Sequence, residues 1–240
     1  MYERKKYIFD DSIEVEEKHS ARYGAPGMKR ERKKKVTPEL MAKQNQREKE
    51  KKVRRLIKWN FKIYDYWMTL TYREGLRPPD METAKKDLQR LLRKLKSVYK
   101  KQGIDFKWIA TTEIGSKGGV HHHLIINRIP GIDIQVAKCW EKGRAHLTML
   151  YEEGGFKELA EYIVKKTGKL EPQDKRYSRS RNLIQKEPVK QLMKRSTFEK
   201  TIKVPQGYYL DKESIIEGVN QITGYPYRHY MLIKLQKNQN

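Results

Sequence analysis

The narrowest limits on the fold come from residues 106–127. Two β-branched and aromatic runs, Phe106–Glu113 and Val120–Asn127, read as strands. Only Gly115-Ser116-Lys117-Gly118-Gly119 lies between them. A loop that short cannot carry a crossover, so the two strands must pair antiparallel as a hairpin. The second strand carries His121-His122-His123 followed by Leu124-Ile125-Ile126. Side chains alternate along a strand, so His121 and His123 share one face and His122 takes the other. If the hairpin is centred on Lys117, Glu113 stands opposite His121, with β-carbons about 5 Å apart. Glu113, His121 and His123 then meet on one small patch.

Other elements assemble around this hairpin. Tyr66–Tyr72 is a further strand. Residues 82–101 place Leu88, Leu91, Leu92, Leu95 and Val98 at helical spacing. Residues 132–141 read as a short helix, Ala145–Tyr151 as a strand, and Phe156–Lys166 as a helix ended by Gly168. Tyr227–Leu235 is a last strand. The expected fold class is α+β: a central antiparallel sheet of about five strands with flanking helices, preceded by a long basic helix. That helix opens at Thr37-Pro38-Glu39, an N-cap followed by Pro at the first helical position.

The chain has 240 residues, with 54 Lys and Arg against 30 Asp and Glu, for a formal net charge of +24. A metabolic enzyme has no need of that charge; its simplest use is to neutralise a polyanion. Residues 28–58 alone hold 14 Lys and Arg against 4 Glu, a local +10. The basic helix there is either a surface lying along DNA phosphates or a solvated helix packed by its end. Residues 1–25 read as a leader. At 37% hydrophobic residues a core can form. The single cysteine, Cys139, excludes an internal disulfide and a Cys-rich zinc module. No apolar run is long enough to cross a membrane, and the first residues do not form a signal peptide, so a cytoplasmic location is expected.

Two imidazoles and a carboxylate on one face suit a divalent cation with open positions, and the carboxylate favours Mg²⁺ or Mn²⁺. On the helix 156–166, Phe156, Leu159, Ala160 and Ile163 form the buried stripe, and Tyr162 sits at its edge. Lys165 and Lys166 flank the tyrosine on either side, and spacing alone does not choose between them. A cation near the phenol favours phenolate, and near a phosphate it neutralises developing charge.

These pieces occur in the order of a known family. Trp67-Met68-Thr69-Leu70-Thr71-Tyr72 resembles its first motif, the strand hydrophobic-Thr-Leu-Thr. Glu113 together with His121-His122-His123-Leu-Ile-Ile resembles the second, His–hydrophobic–His with an upstream acid. Tyr162-Ile163-Val164-Lys165 resembles the third, Tyr-x-x-Lys. The chain thus resembles the HUH endonucleases, and among them the rolling-circle replication initiators (Rep proteins) of Gram-positive plasmids, phages and integrative elements, related to the filamentous-phage gene II protein. His122 departs from the pattern by filling a slot usually apolar, and the third motif has one tyrosine where some relatives have two.

The resemblance implies a reaction. Glu113, His121 and His123 would hold one Mg²⁺ or Mn²⁺ beneath the scissile phosphate. Tyr162 would attack phosphorus, leaving a 5′-phosphotyrosine link and a free 3′-OH that primes a polymerase. Lys165 would position the phosphate. The segments implied are a leader and basic helix over 1–60, a nuclease core over 61–170, and a basic, aromatic extension over 171–240 completing the domain. The expected partners are single-stranded and hairpin origin DNA, a host polymerase and, since no P-loop is present, a host helicase in a bacterial cytoplasm. The competing readings are an HUH transposase or relaxase and a non-catalytic nucleic-acid-binding protein.

Overall fold

The computed structural model describes residues 1–19, 35–115, 118–150, 156–164 and 177–235. The described residues form two units. One is built from both ends of the chain, Met1–Lys43 and Lys186–Asn240; the other is the continuous segment Gln44–Gln185. In chain order the elements are β1 (Tyr2–Ile8), β2 (Ser12–Lys18), α1 (Pro38–Asn60), β3 (Tyr66–Thr71), α2 (Met81–Lys101), β4 (Trp108–Ile114), β5 (Val120–Ile126), α3 (Ile132–Cys139), β6 (Ala145–Met149), α4 (Lys157–Val164), β7 (Ser178–Arg179), β8 (Val189–Met193), β9 (Tyr208–Val219) and β10 (Pro226–Lys234).

The continuous unit holds a five-stranded sheet in the order β6-β3-β5-β4-β7, and each neighbouring pair is antiparallel. This is the α+β architecture expected, with helices packed on a central antiparallel sheet. Strand alternation divides its core in two. Met68, Leu70, Ala110, Leu124 and Ile126 face α2 and α3, whose Leu88, Leu91, Leu95 and Val136 close that layer. Ile109 and Ile125 face the other way, onto Val53, Leu56 and Ile57 of α1 and Ala160 and Ile163 of α4. The leucine stripe of α2 is buried as its spacing requires. Its N-terminus is capped by Asp80, whose carboxylate accepts from Thr83 N at 2.7 Å. α1 starts where the Thr-Pro-Glu signal places it, with Leu40 N donating to Thr37 Oγ1 at 3.2 Å. Its second half is packed into the core, and most of the first half is exposed.

The second unit departs from expectation. Residues 2–18 are not a leader but two strands, and the last strand does not join the central sheet. β8-β1-β2-β10-β9 form a second five-stranded antiparallel sheet. β2 pairs with β10 through Val15↔Tyr230 and Glu17↔Arg228. The extension over 171–240 therefore divides. β7 adds to the central sheet, while β8, β9 and β10 combine with the N-terminus. A small apolar core of Val15, Tyr230 and Leu232 supports this second sheet.

Candidate active site

The hairpin has the register read from its length, with Glu113 opposite His121 and Thr111 opposite His123. β3 lies on the other side of β5 and places Thr69 opposite His123 and Thr71 opposite His121. β6 then sets His146 opposite Thr69. Paired residues share a face, so one row across four strands reads His146, Thr69, His123, Thr111. This is the α1 and α4 face of the central sheet.

The side chains converge on His123. Its Nε2 is 3.0 Å from Glu113 Oε1 and 2.9 Å from the Tyr162 hydroxyl. Tyr162 donates to Glu113 Oε1 at 2.5 Å. On the far side of the ring, Nδ1 is 3.1 Å from Thr69 Oγ1. One protonation pattern satisfies all four groups: Thr69 donates to Nδ1, and Nε2–H donates toward Glu113. Trp67 stacks on His123 with ring centres 5.4 Å apart and planes 11° from parallel, and it meets Tyr162 edge-on at 5.6 Å. The cluster is enclosed but reachable, with the His123 and Glu113 side chains 10% and 16% exposed.

Burial pushes the Tyr162 phenol above its usual range, and the adjacent Glu113 carboxylate raises it further by hydrogen bond and by charge. The phenol is therefore held protonated at neutral pH. Burial lowers the pKa of His123, against an upward pull from Glu113.

His121 stands apart. Its ring centre is 6.4 Å from that of His123. The ring is turned against the glycine loop, so that a Cβ at Gly115 would lie 2.9 Å from its Nε2. A glycine at 115 leaves the room that the imidazole occupies. Among the described residues, no three His, Cys, Asp or Glu side chains are gathered closely enough to hold a metal ion. Glu113 and His123 touch, and His121 shares their face without joining them. As a donor set the three still suit a hard divalent cation: one carboxylate and two imidazoles, one of them oriented from behind by a hydroxyl.

His122 has no part in this. It is fully buried on the opposite face, with Nδ1 2.8 Å from Thr112 Oγ1 and Nε2 2.8 Å from the Tyr72 hydroxyl. Lys165 and Lys166 lie outside the described residues. α4 is fixed near its end by α1, where Gln46 Nε2 donates to the carbonyl of Val164 at 3.1 Å.

Trp67 and Thr69 were legible as parts of a strand and of the motif that strand resembles, with no role at the site. Their signal was parity: residues 67, 69 and 71 share the face that pairs with 121 and 123. His146 could have been found the same way.

No curated protein and no solved structure matches the chain. Residues 65–171, which carry β3 to α4 and all of these site residues, match the family model for replication-associated proteins of the ORF2 and gene II protein type, and this stretch of the chain is similar to that family.

Proposed function

We propose that the chain is a replication initiator that nicks single-stranded DNA by tyrosine transesterification. The observation that carries this reading is the meeting of Tyr162 with Glu113 and His123, inside the stretch similar to replication-associated proteins. A phenol placed among a carboxylate, an imidazole and an indole wall is a nucleophile held in one orientation. Tyr162 Oη would form a bond to phosphorus as the bond from phosphorus to the 3′-oxygen breaks. The phenol proton would pass to Glu113, which already accepts it, and the departing 3′-oxygen would take a proton from solvent to become the 3′-OH. The phosphotyrosine keeps the strand's end for rejoining, and the free 3′-OH suits a polymerase.

Glu113, His121 and His123 would hold a Mg²⁺ or Mn²⁺ ion. When bound, that ion supplies Lewis-acid polarisation of the phosphate oxygens and a template for the reacting group. The Thr69 hydroxyl serves either state, because it can donate to Nδ1 or accept from Nδ1–H when Nε2 is given to a cation. Lys165 would neutralise charge on the phosphate. The net charge of +24 supplies salt-dependent attraction to DNA that is independent of sequence. Host helicase and polymerase would provide strand separation and synthesis.

The test is a cleavage assay on single-stranded origin DNA with Mn²⁺, read as a labelled protein–DNA adduct on a denaturing gel. The adduct is expected with the wild type and lost in Tyr162→Phe, with DNA binding retained. Tight, salt-sensitive binding without an adduct would instead support a non-catalytic DNA-binding protein.

A further inference from the structure

The sheet face that carries the Tyr162 cluster continues past His123 and Thr69 to the outer strand β6. Pairing with β3 sets Ala145 opposite Leu70 and His146 opposite Thr69. The ladder runs one residue beyond the strand, because Thr71 N donates to Arg144 O at 2.9 Å. Arg144 therefore stands beside Thr71 as His146 stands beside Thr69. Parity assigns the faces. Ala145 and Leu147 pack on the core of the α2 side, so Arg144, His146 and Thr148 belong to the Tyr162 side. Two rows then cross the sheet: Arg144, Thr71, His121, Glu113, and next to it His146, Thr69, His123, Thr111. With strands about 4.8 Å apart, the backbones of Arg144 and His146 each lie about 10 Å from the histidine of their own row, and about 7 Å from one another.

A glycine lets the chain enter β6 in this register. A Cβ at Gly143 would collide with the carbonyl group of Thr71 and lie 2.8 Å from Tyr72 Cα. Both obstacles are backbone, so only a residue without a Cβ brings the chain this close to β3, one position before Arg144.

Both side chains are open to a ligand. α4 packs over Ile109 and Ile125 on the inner strands, whereas Arg144 and His146 on the outer strand are exposed. Arg144 forms no ion pair with a described acid; the nearby Glu141 is taken by Lys94 at 2.7 Å. His146 Nε2 is 3.4 Å from Thr148 Oγ1, and the other ring nitrogen has no partner among the described residues. The one acid of the two rows, Glu113, stands on β4, so the basic end of the face is the β6 end. A strand whose phosphate is engaged at Tyr162 presents further phosphates along that face. The guanidinium fork of Arg144 matches a phosphate in shape and charge, and the imidazole of His146 offers a second donor beside it. We propose that Arg144 and His146 bind the backbone phosphate next to the scissile one, so that the DNA strand crosses β6 on its way to Tyr162. The proposal deepens the nickase reading and rests on it for the choice of DNA.

The test is binding of a labelled single-stranded oligonucleotide across a salt series without divalent cation, so that cleavage does not enter. Arg144→Gln is expected to flatten the slope of log K against log salt by about 0.7, the value of one phosphate contact on a single strand. Arg144→Lys keeps the charge and should recover most of that slope. R144Q/H146A should weaken binding at low salt about tenfold through the loss of two donors to phosphate. The control R93Q/K96Q takes two exposed cations from α2, on the other side of the sheet, and should weaken binding less than half as much. Unchanged melting temperatures keep folding out of the comparison. Unchanged binding by R144Q/H146A overturns the proposal, as does an equal loss in the control or no single-strand binding by the wild type. In the adduct assay with Mn²⁺, R144Q/H146A should need about fivefold more DNA for half-maximal adduct and form it at saturation within about twofold of the wild-type rate. Loss of the adduct at saturating DNA with binding intact would put the pair in the chemistry and overturn the proposal. A wild type that nicks with R144Q/H146A unaffected removes the β6 contacts and leaves the nickase. Binding that depends on Arg144 and His146 without any wild-type adduct removes the nickase and leaves the β6 contacts.

Discussion

His121, His122 and His123 are one residue type in three consecutive positions, and they have three environments. His121 is half-buried against a glycine loop, His122 is sealed beneath the sheet, and His123 is held between Thr69, Glu113 and Tyr162. Burial brings the His122 pKa down from 6.5 to about 4, with smaller pushes from His123 and His121. Unfolded, this imidazole takes its proton near pH 6.5; folded, near 4. Between those values the unfolded chain binds more protons, so stability falls as pH drops through that window. The loss attributable to His122 is about 3 kcal/mol. His122→Asn should remove that part of the slope. Urea unfolding of both proteins at pH 7 and pH 4.5 measures it, and parallel pH dependences would show that His122 is not its source.

Among the elements, the end of α1 is clamped to the segment that follows β7. Asn60 is buried and donates to Leu56 O at 2.9 Å and Ile184 O at 2.7 Å, while its Oδ1 accepts from Ile184 N at 2.8 Å. One side-chain amide thus ends a helix and fixes an extended segment 124 residues later. Asn60→Ala removes all three bonds and should cost about 2 kcal/mol. The expected signature is a lower urea midpoint with faster amide exchange over residues 180–184. Exchange that speeds up in α1 alone would show that the clamp acts on the helix and not on the segment around Ile184. Helices were the most legible elements: the α2 leucine stripe and the Thr37 cap of α1 are local patterns, and local patterns survive in a linear text.

Across the molecule, a charged ladder joins the two ends of the chain. Arg4, Glu17, Arg228 and Glu217 occupy paired positions on β1, β2, β10 and β9. Glu17 is fully buried and accepts from Arg4 Nε at 2.6 Å and Arg228 Nε at 2.7 Å. Glu17→Ala leaves two largely buried guanidinium groups without that carboxylate and should cost about 3–5 kcal/mol. Amide exchange should report the loss in β1, β2 and β10, with the central sheet protected as before. Equal loss in both sheets would mean that they unfold as one cooperative unit.

Wherever the governing rule is local, the amino-acid order was enough. The glycine loop set the hairpin register, strand parity put His121 and His123 on one face, and helical spacing set Tyr162 at the rim of a buried stripe. The second sheet was not readable in this way. Residues 2–18 lack a clean apolar alternation because several of their inward positions are charged, and a charge reads as buried only when its partner is known. Of the two arginines on Glu17, Arg228 lies 211 residues away. That pairing exists only in the folded chain, and so does the contact of Glu113 with His123 instead of the His121 it faces. Strand register fixes which residues are opposite; the side-chain torsions that choose between neighbours answer to the packing of Trp67, Thr69 and Tyr162 around them.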